Sequence, residues 1–320
     1  MQWELNDSAW MGVNMSLASI ALDQILIMFL IIIIGMICYK AKLIDKELNK
    51  KLSNILLMVV SPLLIFNSYQ REFSSDLLQG LGISFGLALA SHLISILAAQ
   101  VFVRGKDSNA VIDRFSAIYS NCGFIGIPLI NGLVGKEGVF YITAYLTVFN
   151  VFVWTHGVIM MVGKQTKKEI IKTLISPTII AIVLGMLAFL MRLRMPYIIY
   201  ESIEYVASMN TPLAMLIAGV SIAQTNIVKV FLKPRIYLVV VLKLLLIPVL
   251  LLFLYTRLPI NETVLTTALL GVACPTAATG TMFALRYNKD AVYASEIFAI
   301  TTLASVVSIP AVMALLGIFL

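Results

Sequence analysis

Ser120–Asn131 reads Ser-Asn-Cys-Gly-Phe-Ile-Gly-Ile-Pro-Leu-Ile-Asn. The stretch lies inside an apolar segment long enough to enter a membrane, yet its composition opposes unbroken helix. Gly123 and Gly126 lower helix propensity, and Pro128 lacks an N–H and clashes with the preceding turn. A second such stretch lies downstream, Ala273-Cys274-Pro275-Thr276-Ala277-Ala278-Thr279-Gly280. Two interrupted spans in corresponding halves of a membrane protein point to a transporter's binding site.

The chain around them is built for lipid. Of its 320 residues, 60% are hydrophobic and 12% charged, with mean hydropathy +0.98. A soluble domain carries roughly twice that charged fraction. The net charge of +7 does not indicate nucleic acid, because the basic residues gather in short loops on one side of a membrane. Cys38, Cys122 and Cys274 lie in apolar segments without a CxxC pattern, so neither a disulfide framework nor a metal site is expected. No Lys or Arg precedes Lys40, so a cleavable signal peptide is not expected.

Ten segments are long and apolar enough to span. They are Ile20–Tyr39, Leu52–Tyr69 with Pro62, Leu77–Val103, Phe115–Val134, Val139–Val162, Leu174–Met191, Ile203–Ala223 with Pro212, Ile236–Tyr255 with Lys243, Val264–Leu285 and Ala291–Phe319. With the N-terminus outside, the inside loops are Lys40–Lys51, Arg104–Arg114, Lys164–Lys172, Lys229–Arg235 and Arg286–Lys289. These hold 17 of the 23 Lys and Arg, against five in the outside loops. The positive-inside rule therefore places both termini outside a multi-pass protein of the cell membrane.

A shift of about 150 residues superposes features in order. Gly35-Met36 falls on Gly185-Met186, Ser61-Pro62-Leu63 on Thr211-Pro212-Leu213, His92 near Lys243 and Cys122 on Cys274. The reading is an outside segment 1–19, a first five-helix repeat 20–163, a short inside loop 164–172 and a second repeat 173–320. An odd number of spans forces the second repeat in upside down, so the fourth and ninth spans correspond.

A helix broken at mid-membrane leaves carbonyls at one end of the break and N–H groups at the other. The N–H ends suit a carboxylate. Phe115 to Cys122 is about 10 Å of helix from the inside, and Val264 to Pro275 about 16 Å from the outside, so both breaks sit near the midplane. Pro128 is placed to begin the second half of the fourth span. Asn121 on the lip offers donors and an acceptor, either to substrate or as a cap on the first half. Thr276 and Thr279 supply hydroxyls, which also bond readily to their own helix. Cys122 and Cys274 read as small packing residues at the breaks.

Lys243 is the most informative single residue, since a Lys this deep is costly and functional by default. It can pair with an anion, neutralise carbonyl helix ends or move a proton; snorkelling towards Arg235 is the alternative. His92 can carry a proton or simply pack. Glu296 can pair with Arg286 or serve in ion coupling, and Asn210 stands beside the Pro212 kink. No phosphate loop, HExxH cluster or Gly-x-Ser-x-Gly elbow appears, so neither ATP-driven transport nor an enzyme is expected, and no cofactor.

At Asn121-Cys122-Gly123-Phe124-Ile125-Gly126-Ile127-Pro128-Leu129, at Ser61-Pro62-Leu63 and Thr211-Pro212-Leu213, and from Cys274-Pro275 to Arg286-Tyr287-Asn288, the chain resembles the auxin efflux carrier family. The likeness is to its short bacterial form, which includes malonate and malate permeases. It implies a fold similar to sodium/proton antiporters and bile-acid symporters, with the fourth and ninth spans crossing at their breaks. A scaffold part would hold the third to fifth and eighth to tenth spans. The first, second, sixth and seventh would support it and often form a homodimer. The resemblance also implies an organic anion near the crossing, contacted by Asn121 and the half-helix ends. The short loop 164–172 and Thr276-Ala277-Ala278 after Pro275 depart from the plant pattern and argue against auxin.

The expected function is elevator-type secondary transport of a small mono- or dicarboxylate. The site is expected at Asn121, Cys122, Gly123, Gly126, Pro128, Cys274, Pro275, Thr276, Thr279 and Lys243, with His92, Asn210 and Glu296 for coupling or support. The alternatives are a sodium- or proton-coupled carrier of another substrate on the same fold, or a transport-inactive membrane sensor.

Overall fold

The computed structural model describes residues 17–105, 107–162, 177–225 and 233–320. The expected loop 164–172 lies outside them, as does most of the segment 1–19. The described chain is helical, with strand pairing reduced to a single bridge. In order the helices are α1 (Leu17–Lys40), α2 (Lys46–Ser68), α3 (Ser75–Phe102), α4a (Ser108–Ile118), α4b (Cys122–Leu133) and α5 (Lys136–Val162). There follow α6 (Pro177–Leu190), α7 (Tyr197–Ala223), α8 (Pro234–Tyr255), α9a (Glu262–Ala273), α9b (Thr279–Arg286) and α10 (Ala291–Phe319).

Seven of these are long and apolar enough to cross a membrane: α1, α2, α3, α5, α7, α8 and α10. Helices α4b, α6 and α9a are apolar but shorter. The molecule is an all-helical, multi-pass membrane protein. The second span starts at Lys46 rather than Leu52, because Asp45 caps its first turn by accepting from the Leu48 amide at 2.7 Å. A capped polar turn extends a helix beyond its apolar run.

Pro128 does not begin the second half of the fourth span. That half begins at Cys122 with a π-turn, Cys122–Gly126, and Pro128 follows two residues later. The same pairing recurs where the π-turn Leu56–Val60 precedes Pro62 and Leu242–Leu246 precedes Pro248. Proline has no N–H to give and its ring collides with the carbonyl four residues back. A widened turn just upstream relieves both problems.

Close backbone contact joins α1 to α7. A Cβ on Gly219 would lie 2.0 Å from the Ile32 carbonyl oxygen, and one on Gly35 2.4 Å from that of Leu216. Helix α6 packs on α2 through Gly185, whose Cβ would meet the Tyr69 ring at 2.6 Å. Between α2 and α7, Ser61 Oγ donates to Asn210 Oδ1 at 2.8 Å, joining the residues that precede Pro62 and Pro212.

Candidate functional site

The fourth span breaks at 119–121, just before Gly123, and the ninth at 274–278, around Pro275, and the two breaks touch. Ser120 and Thr276 form an antiparallel bridge. The Asn121 amide donates to the Pro275 carbonyl at 2.7 Å, and the Ala277 amide to the Tyr119 carbonyl at 2.9 Å. Backbone groups freed at each break are thus satisfied by the other, as an apolar interior requires.

The carbonyl ends are also covered. Thr276 Oγ1 donates to the Ser116 carbonyl of α4a, and Ser120 Oγ to the Val272 carbonyl of α9a at 3.2 Å. Each bridging residue therefore caps the carbonyl end of the opposite half-helix. Lys243, on the π-turn of α8, reinforces the second cap. Its Nζ donates to Ser120 Oγ and, at 3.2 Å, to Val272 O, and the side chain is fully buried. Snorkelling is excluded by that burial. Thr276 bonds across the crossing rather than back to its own helix.

The amide ends meet a different environment. Gly123, in the first turn of α4b, and Ala278 and Thr279, at the start of α9b, line a cavity of about 230 Å³. Ser120, Asn121 and Ala277 also line it. Asn121 is buried and its Nδ2 has no hydrogen-bond partner, and neither has Thr279 Oγ1. Two buried polar groups at two positive helix ends are left to a guest. The opposite walls are Leu57, Met58, Ser61 and Ile65 of α2, with Pro177 and Thr178 of α6. Phe149, Asn150 and Trp154 of α5 complete it, with Phe283 of α9b.

Of the residues expected in the site, Asn121, Gly123 and Thr279 face this cavity. Cys122, Gly126, Pro128, Cys274, Pro275, Thr276 and Lys243 lie behind the lining, at the crossing itself. The Cβ of a side chain on Gly126 would stand 3.2 Å from Cys274 Sγ, a tight contact that glycine avoids where the two spans pack closely. Ser61, Phe149, Trp154 and Thr178 were not singled out as site residues. They come from uninterrupted spans whose inward faces are fixed only by tertiary packing.

The three coupling candidates lie elsewhere. His92 is buried against Tyr145 and Phe152, with ring centroids 5.0 and 5.4 Å away, and its Nδ1 meets the Ala88 carbonyl at 2.8 Å. Asn210 accepts from Ser61. Glu296 pairs with Lys233 rather than with Arg286, because Lys233 ends the connection into α8 directly beside α10. A second polar cluster escaped the sequence altogether. Arg235 holds both Asp107 and buried Asp113, and Tyr293 Oη donates to Asp113 at 2.8 Å, tying α4a, α8 and α10 together.

Comparison with known proteins places the chain in a family. A family model described as membrane transport protein matches residues 20–173 and again residues 164–313. An uncharacterized transporter of Methanocaldococcus jannaschii is 25% identical over 217 residues, 64% of this chain and 70% of that protein. The resemblance drawn from the fourth span holds at that family level, and the role is transport rather than catalysis. The chain belongs to the membrane transport protein family.

Proposed function

We propose that the chain is a secondary transporter of a small organic anion, a mono- or dicarboxylate of the kind carried by malonate and malate permeases. The observation that carries this reading is the asymmetry of the crossing. Both carbonyl ends are capped, one of them by Lys243, whereas both amide ends open on the cavity beside the unpartnered Asn121 Nδ2 and Thr279 Oγ1. A carboxylate there gains helix-end attraction and charge-assisted hydrogen bonds. Lys243 acts in this reading by offsetting the carbonyl dipoles and by its positive charge, without touching the anion. Among the described residues, no Asp or Glu lines the cavity, which favours an anion over a bare cation.

The proposal includes the architecture. Ten spans form two inverted five-helix repeats with both termini outside. The reciprocal packing of α1 on α7 and α6 on α2 supports it, as does the Ser61–Asn210 bond between equivalent kinks. The two family matches also meet near the expected junction of the halves. The cavity lies between a body of α3–α5 with α8–α10 and a body of α1, α2, α6 and α7. The first body carries the anion by rigid-body sliding against the second, through which two copies dimerise.

The test is uptake of radiolabelled carboxylates into liposomes containing purified protein, with melting temperature measured against the same compounds, with and without sodium, at two pH values. A ligand that binds the fold raises its melting temperature. No uptake and no stabilisation across a series from acetate to malonate, malate and benzoate would sink the reading.

A further inference from the structure

A second pocket lies on the same seam as the crossing cavity. It encloses about 170 Å³ between Asn67, Ala207 and Asn210 of α2 and α7 and Asn131 and Lys136 of α4b and α5. Ile127, 1% exposed, lines both spaces. Gly123 lines one and Asn131 the other, an offset of about 12 Å along α4b. The Ser61–Asn210 hydrogen bond joins a wall residue of each.

Polar groups are buried in its walls. Asn67 is 7% exposed and Asn210 2% exposed, and Asn67 Oδ1 and Asn210 Nδ2 have no partner. Buried carboxamide atoms left open are costly unless water or a polar solute fills the space. At the mouth, Lys136 Nζ stands 3.0 Å from Glu204 Oε1 and 3.3 Å from Tyr200 Oη, while Asn67 Nδ2 donates to Glu204 Oε2. Lys136 belongs to α5, on one side of the seam. Glu204, Tyr200 and Asn67 belong to α7 and α2, on the other.

We propose that this pocket is the outer segment of the anion's route, and that Lys136 and Glu204 form the clasp that keeps it shut. The inference rests on the transport reading above. A pair holding one body to itself is indifferent to sliding; this pair crosses the seam and must part when the seam moves. The clasp is also weak enough to open thermally, because Lys136 is 61% exposed and solvent screens it. When it parts, Lys136 Nζ becomes a free donor facing Asn210 Nδ2, while Asn67 keeps its bond to Glu204 on their own side of the seam.

The test is the labelling rate of Ala207→Cys by a membrane-impermeant maleimide applied from outside. Ala207 lines the pocket and is 2% exposed. Cys38→Ser removes the partly exposed native thiol, and Cys122 and Cys274, both fully buried, remain. Labelling is slow with the clasp intact and about two- to fivefold faster with Glu204→Gln or Lys136→Gln. It is slow again when Lys136→Glu and Glu204→Lys are combined. Arg194→Gln, which breaks the surface pair with Glu72, leaves the rate unchanged. Thr211→Cys is the second reporter if Ala207→Cys does not fold. Equal rates in all variants, or equal acceleration by Arg194→Gln, overturn the proposal. The measurement needs no anion, so its failure is distinct from a failure of carboxylate uptake.

Discussion

The Asn121 amide donates to the Pro275 carbonyl at 2.7 Å, so a residue on one broken helix is fixed by backbone contact with the other. Its side chain takes no part in that bond. Fold and binding are therefore separable at this position. Asn121→Ala keeps the bridge, and its melting temperature should stay near that of the unchanged protein. It removes Nδ2, the donor left open at the cavity. A hydrogen bond to a charged group contributes about 1.5–3 kcal/mol, so the apparent affinity for a transported carboxylate should fall roughly tenfold to hundredfold. Concentration-dependent uptake in liposomes measures this. Unchanged KM with a lowered melting point would make Asn121 a structural residue only.

Lys243 makes a complementary prediction. Its ammonium touches Ser120 Oγ and Val272 O, and among the described residues no carboxylate pairs with it. Lys243→Met removes a buried charge that costs desolvation and leaves Val272 O with the Ser120 hydroxyl. Stability should change little, or rise. Anion affinity should fall by about tenfold, since a unit charge roughly 10 Å away contributes about 1–2 kcal/mol at an effective dielectric near 20. Lys243→Arg should not restore it, because a planar fork does not fit a site built for a compact ammonium. Paired melting and uptake curves separate the two effects.

These residues also show what was legible in the sequence. Asn121 and Thr279 could be read because Gly and Pro near them announce broken helix, and a broken helix in lipid exposes charge-bearing ends. Lys243 could be read because a charge in an apolar run is rare. Its role could not be chosen, since pairing with substrate and capping Val272 O place the same residue at the same depth. Trp154 and Thr178 gave no local signal, and Ser61 was marked only by its motif with Pro62: which face of an apolar helix turns inward depends on its neighbours. Arg235 looked like a loop base because Asp113, its buried partner, lies 122 residues earlier. The loop 164–172 lies outside the described residues, so the join between halves rests on sequence.

The Arg235 cluster should be a structural keystone with unequal arms. Asp113 is 1% exposed and Arg235 37% exposed. Arg235→Gln leaves the Asp113 carboxylate with Tyr293 as its remaining donor, and should destabilise by about 3 kcal/mol, the low end for breaking a buried pair. Asp107→Asn should have little effect on melting. Hydrogen bonds from Arg235 hold the Asp107 carboxyl below its ordinary value. A depressed carboxyl contributes stability above about pH 3.9 and loses it only as pH falls through the lower folded value. Melting temperatures between about pH 5 and 8 should therefore be the same slope with and without Asp107. A slope difference in that window would assign the arm a different role.

Pro128 offers the sharpest separation of local geometry from chemistry. It touches neither cavity, yet the π-turn Cys122–Gly126 stands just before it, as other π-turns stand before Pro62 and Pro248. The Asn121 carbonyl accepts from both Ile125 and Gly126 at 3.0 Å, so the turn is poised between a four-residue and a five-residue step. Alanine at 128 restores an N–H and removes the ring clash, which lets the turn tighten to ordinary α-helix. Tightening rotates Gly123 and the first amides of α4b relative to Asn121. Pro128→Ala should thus melt no lower than the unchanged protein, while uptake falls at least tenfold, since misplacing a binding group by about 1 Å can cost far more than losing a surface contact. An unchanged uptake rate would show that the widened turn merely accommodates proline and leaves the anion's seat alone.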